Sequence, residues 1–159
     1  VHLRGTLVIA LTTILFGLLL GWADYLGQLS KQHDLTRLTI TIVLIIGCAQ
    51  ALALIPGTSR SGITITAALF CGLHRQSAAQ SSFLIAIPII ILSGGYKGLE
   101  LMTDPITYWN DIFLGIAVSA VSAFICILYF MKFINRMGML PFVVYRLVLG
   151  GGLLIWIFI

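Results

Sequence analysis

The spacing of its charges limits most strongly what this chain can become. No charged residue occurs among the 19 residues from Gly5 to Ala23, the 22 from Leu38 to Ser59, the 21 from Gln76 to Tyr96 or the 20 from Ile112 to Met131. A helix rises ~1.5 Å per residue, so runs of this length match the ~30 Å hydrocarbon core of a bilayer. A last apolar run, Pro141 to Ile159, carries Arg146 in its first turns. Apolar residues make up 60% of the chain and charged residues 9%, against roughly 45–50% and about 25% in globular proteins. Too few polar groups remain to coat a water-soluble sphere. A soluble domain, a disordered tail, a coiled coil and a nucleic-acid module are thereby excluded, and membrane lipid is the expected surrounding.

One run is too short to cross. Ser61 to Leu73, between Arg60 and His74, has 13 residues and reaches only ~20 Å as helix. With Leu38–Ser59 before it, this stretch predicts a re-entrant hairpin over about 38–73, folded back at Pro56-Gly57. The expected fold is an all-α integral membrane bundle in a single transmembrane domain, 1–159. Its spans lie at about 5–23, 76–96, 112–131 and 141–159. Trp22, Tyr25, Tyr108 and Trp109 fall at span ends, as an interfacial aromatic belt does. Cys48, Cys71 and Cys126 lie in apolar runs without metal-site spacing and read as small buried hydrophobes. No signal-peptide pattern opens the chain, which starts at Val1 and is expected to be the later part of a longer protein.

Loop charges give the orientation. The face from which the hairpin departs carries Lys31, Arg37, Arg75, Lys132 and Arg136, with Arg146 near its boundary. The other carries Arg4 and Lys97 with Glu100, Asp104 and Asp111. The positive-inside rule places the first face in the cytoplasm and points the hairpin tip outward. Glu100, Asp104 and Asp111 read as a solvated outer loop, and no metal ligands are assigned in this chain. His2, His33 and His74 read as loop or boundary residues.

The chemistry concentrates in Pro56-Gly-Thr-Ser-Arg-Ser-Gly-Ile-Thr64. Arg60 is the only charge between Arg37 and Arg75, and an Arg at bilayer depth costs ~2.5–3.5 kcal/mol even on insertion scales. Thr58, Ser59, Ser61 and Thr64 surround it with hydroxyls. Pro56 and Gly57 end the first half-helix. Gly62 lets the second begin close to a ligand, its free N–H groups and dipole aimed at the same place. Guanidinium, hydroxyls and amides converging in a dry pocket describe an anion site, and the Arg fork suits phosphate. A Walker loop is excluded because Ile63 stands where its Lys must be. In the plainer alternative the hydroxyls cap helix ends and Arg60 snorkels, but apolar runs of at least 13 residues flank it on both sides.

Gly47-x-x-Gln50-x-x-Ala53-Leu-Ile-Pro-Gly-Thr-Ser-Arg-Ser-Gly62, Ser82-Phe83-Leu84 leading to Ile87-Pro88, and Phe142-x-x-Tyr145-Arg146 resemble the undecaprenyl-pyrophosphate phosphatases, or bacitracin-resistance proteins. The resemblance implies an integral membrane hydrolase that converts undecaprenyl pyrophosphate to undecaprenyl phosphate and phosphate. That reaction recycles the lipid carrier of cell-wall synthesis and confers bacitracin resistance. It implies two inverted repeats with broken hairpins, of which this chain carries the later. The first repeat, with its Glu-x-x-x-Glu and Ser-Ser…His motifs, has no counterpart here. Arg60, Ser59 and Thr64 are expected to act on the pyrophosphate, with Gly57, Thr58, Ser61, Gly62 and Gln50 lining its site. Arg146 is read as snorkelling, with pairing to a lipid phosphate as the alternative. A divalent cation, Mg²⁺ or Ca²⁺, is expected to be held mainly by the absent first half, so this chain alone should bind and not turn over. The bacterial inner membrane is the expected location, with the loop opening outward and homo-oligomerisation left open. The rival class is a flippase for the phosphorylated polyprenyl carrier.

Overall fold

The computed structural model describes residues 5–29, 33–35, 38–102 and 109–158. His2, Arg4, Lys31, Arg37, Asp104 and Tyr108 lie outside them, as does the side chain of Asp111. The described chain is all-α: α1 (Thr6–Leu29), α2 (Ile40–Ala51) continued by a 3₁₀ turn (Leu52–Leu54), α3 (Arg60–Phe70), α4 (Arg75–Met102), α5 (Trp109–Met137) and α6 (Leu140–Phe158). Among the described residues four helices, α1, α4, α5 and α6, are long and apolar enough to cross a membrane. α1, α4 and α5 run past their uncharged windows because helix continues into the interface, where a charge costs little.

α1 gives the clearest correction. It extends to Leu29 and so includes Asp24, a carboxylate placed in no span by the charge spacing. Arg75, at the start of α4, grips this carboxylate with both arms of its guanidinium, Nε on Oδ1 at 2.5 Å and Nη2 on Oδ2 at 2.9 Å. A paired carboxylate is tolerated where a bare one would end the helix.

α2 and α3, 12 and 11 residues long, each reach less than ~20 Å. The ends of this pair meet: the His33 N–H bonds the Gly72 carbonyl (2.8 Å) and the His74 N–H bonds the His33 carbonyl (3.0 Å). The chain therefore enters the helix pair and leaves it at one place. α3 packs on α1, α2 and α4, and α6 lies antiparallel against α1. Glycines let the last two approach, since a methyl at Gly150 would stand 2.5 Å from Ile14 Cγ1 and one at Gly17 would stand 3.1 Å from Arg146 Cβ. The core gathers around α3, with Ile65, Ala68 and Leu69 against Leu20, Ala23, Ile46 and Ala78. By contrast, the apolar window of α5 buries none of its residues.

Candidate anion site at the helix break

α2 stops at Ala51, turns through Leu52–Leu54 and passes Ile55 in extended conformation (φ −77°, ψ 122°) before Pro56. Pro56 cannot donate to a helix, and Gly57 takes φ +91°, where a side chain is disfavoured. Space forbids one as well: a methyl at Gly57 would lie 2.3 Å from Thr12 Oγ1 and 2.7 Å from the Ile9 carbonyl. The loop is thus pressed against α1. There the Thr12 hydroxyl lies 2.7 Å from the Pro56 carbonyl and that of Thr13 lies 3.3 Å from the Gly57 carbonyl. Thr12 is about 9 Å along α1 from its start, so the break sits at the depth of a membrane-crossing helix and not beyond its end.

Ser59 holds a left-handed backbone (φ 38°, ψ 113°) and caps α3, its hydroxyl accepting from the Gly62 N–H at 3.4 Å. Among the described residues it alone is non-glycine with positive φ, a conformation that persists only where its surroundings hold it. Ser59, Arg60 and Ser61 are exposed, whereas Thr58, Gly62 and Thr64 are buried.

Two cavities flank this first turn. One, of about 490 Å³, is lined by Arg60, Ser61 and Ser82 together with the apolar Phe83, Leu84, Ala86, Ile87, Ile90 and Ile127. The other, of about 230 Å³, is bordered by Ser59, Ser61, Gly62, Tyr145 and Arg146 with Leu20, Ile65, Phe130, Met139 and Phe142. Ser61 borders both, one together with Arg60 and the other together with Arg146.

Arg146 is the residue that sequence reasoning placed elsewhere. Instead of reaching for the interface, its guanidinium turns onto α3, and a methyl at Gly62 would meet Nη2 at 2.2 Å and Cζ at 2.8 Å. Its Nη1 is buried without a hydrogen-bond partner. A cation with an orphaned donor, set at the positive end of a helix, suits an anion. The available signal was a charge inside an apolar span, which by itself marks a functional residue.

The remaining expected residues are spread more widely. Thr58 is fully buried with its hydroxyl unpartnered, and Gln50 Oε1, two turns earlier on α2, is likewise buried and unpartnered; neither borders the two cavities. The Thr64 hydroxyl turns inward onto Ser82 at 2.6 Å. No carboxylate lines either cavity. Among the described residues no three His, Cys, Asp or Glu side chains gather as a metal-binding group. The donor set of guanidinium, hydroxyl and amide suits an anion.

Comparison with known proteins identifies the family. The profile of a family described as bacitracin resistance protein BacA matches residues 1–152. Relatives named undecaprenyl-diphosphatase include one from Saccharophagus degradans, 59% identical over 157 residues, covering 98% of this chain and 58% of the relative. Another, from Teredinibacter turnerae, is 62% identical over 150 residues, covering 94% and 56%. A third, from Chromohalobacter salexigens, is 55% identical over 157 residues, covering 98% and 58%. The chain spans somewhat more than half the length of these curated relatives.

Proposed function

This chain belongs to the bacitracin resistance protein BacA family, and from that premise we propose that it supplies the diphosphate-binding part of an undecaprenyl-diphosphatase. The substrate is a polyprenyl diphosphate in the membrane, cleaved to the monophosphate and inorganic phosphate. The observation that carries this reading is the Arg146 guanidinium at the start of α3, its Nη1 buried and unpartnered, in a cavity that shares Ser61 with the cavity of Arg60.

Hydrolysis of a phosphoric anhydride leaves little covalent work to the protein and much electrostatic work. Arg60 and Arg146 neutralise the charge of the two phosphoryl groups and of the leaving phosphate. Ser59 and Ser61 donate hydroxyl protons to their oxygens, and the first N–H groups of α3 add the helix-end field. The isoprenoid chain extends from Arg60 in the larger cavity along the apolar side chains of α4 and α5. That amphiphilic shape suits a substrate with an anionic head and a hydrocarbon tail. A divalent cation would be held mainly by the remainder of the whole protein and would add charge neutralisation at the diphosphate.

The α2–α3 pair reads as a re-entrant hairpin in the bacterial plasma membrane. Its feet stand near Arg75, Lys132 and Arg136, the cytoplasmic end by the positive-inside rule, and its tip opens toward the outside.

The test is phosphate release from undecaprenyl diphosphate by the purified full-length protein carrying this sequence. Release supports the reading. Translocation of the lipid across vesicles without phosphate release would make the protein a flippase instead.

A further inference from the structure

Ser82 lies on α4 and lines the same cavity as Arg60 and Ser61. It is nearly buried, and its hydroxyl is 2.6 Å from that of Thr64 on α3. The Thr64 hydroxyl has two further acceptors, the carbonyls of Arg60 at 3.0 Å and Ser61 at 3.1 Å. Each hydroxyl owns one proton, so the pair has two polarities. If the Thr64 proton goes to a carbonyl, Ser82 spends its own on Thr64 and turns only lone pairs to the cavity, which repel an anion. If the Thr64 proton goes to Ser82, the closest acceptor, the Ser82 proton is free to point at a phosphate oxygen. The two carbonyls lose little, because each is positioned to accept from the α3 backbone four residues on.

We propose that Ser82 is a substrate-binding donor in the Arg60 cavity and that Thr64 is its positioning residue, acting through Ser82 and not on the diphosphate itself. An anion at Arg60 selects the polarity in which the two hydroxyls point in series toward it. The inference rests on the diphosphatase reading and adds to it a residue on a separate helix, 22 positions beyond Arg60 in the sequence.

The test compares kcat/KM for undecaprenyl diphosphate in the full-length protein and in Ser82→Ala, Thr64→Val, Thr64→Ser and the double variant Thr64→Val/Ser82→Ala. A hydrogen bond to a charged group is worth enough that Ser82→Ala should lower kcat/KM about tenfold or more. Thr64→Val, which keeps the shape, should fall comparably, Thr64→Ser should stay near the unsubstituted protein, and the double variant should be no worse than Ser82→Ala alone. A purely packing role for Thr64 predicts the reverse order, Val tolerated and Ser damaging, and that order overturns the proposal. So do additive losses in the double variant or undiminished turnover in Ser82→Ala. If the unsubstituted protein releases no phosphate, the diphosphatase reading fails. The hydroxyl pair is then judged by the thermal shift that undecaprenyl diphosphate produces: loss of the shift in Ser82→Ala supports it, and an unchanged shift overturns it.

Discussion

The guanidinium of Arg146 lies so close to Gly62 that a single methyl group there would stand 2.2 Å from Nη2. A residue from the last helix thereby reaches the first turn of the short helix that follows the break. Glycine at this position allows the approach, not merely the backbone conformation, since Gly62 lies within α3 and alanine is the better helix former.

The first prediction concerns that contact. Gly62→Ala should displace the guanidinium and lower kcat/KM for undecaprenyl diphosphate about tenfold, or ~1.4 kcal/mol. The thermal midpoint in detergent should hold or rise, because alanine favours a helix interior by roughly 0.5–1 kcal/mol over glycine. Activity lost together with stability would instead mark Gly62 as a packing glycine.

A second prediction addresses the pair that joins the far end of α1 to α4. Asp24 is nearly buried and Arg75 partly so. Asp24→Asn leaves the guanidinium without its countercharge and should cost about 1.5–3 kcal/mol of stability, the range for hydrogen bonds to charged groups. The thermal midpoint of the protein in detergent should drop. Replacing both partners, Asp24→Leu with Arg75→Met, should recover much of the loss, since an apolar pair of similar volume often matches a buried ion pair. A double variant as unstable as the single one would contradict this.

Much of this architecture was legible in the sequence, for physical reasons. Charges are expelled from hydrocarbon, so their gaps marked α1, α4 and α5, with ends that differ from the gaps by one to six residues. Pro56 and Gly57 marked the break because the one lacks a donor and the other takes φ +91°. The site was legible only where it is local. Ser59, Arg60, Ser61 and Gly62 sit together because they are neighbours in sequence. Arg146 and Ser82 join them through packing of α6 and α4, and nothing in their own surroundings fixes that packing. Arg146 was open to two readings, because a long side chain near a helix end can snorkel as easily as turn inward. Asp24 was missed for the same reason in reverse, its tolerance inside α1 depending on Arg75, 51 residues away.

Orientation gives the third prediction. In a protein whose native cysteines are replaced, a cysteine at Arg136 should react with a membrane-impermeant maleimide only from the cytoplasmic side. One at Lys97, at the other end of α4, should react only from outside. Labelling with the sides exchanged would show that the hairpin opens the other way and that the positive-inside assignment is wrong.

The central claim is that two guanidinium groups, those of Arg60 and Arg146, hold one diphosphate. Lysine keeps the charge at either position and loses the planar fork. The most direct measurement is phosphate release from undecaprenyl diphosphate by the full-length protein carrying Arg60→Lys or Arg146→Lys, each singly. Each variant should lose at least tenfold in kcat/KM, about 1.4 kcal/mol, with its thermal midpoint little changed. Near-normal turnover in Arg146→Lys would return that residue to the role of an interfacial anchor, and near-normal turnover in both would contradict the anion site at the helix break.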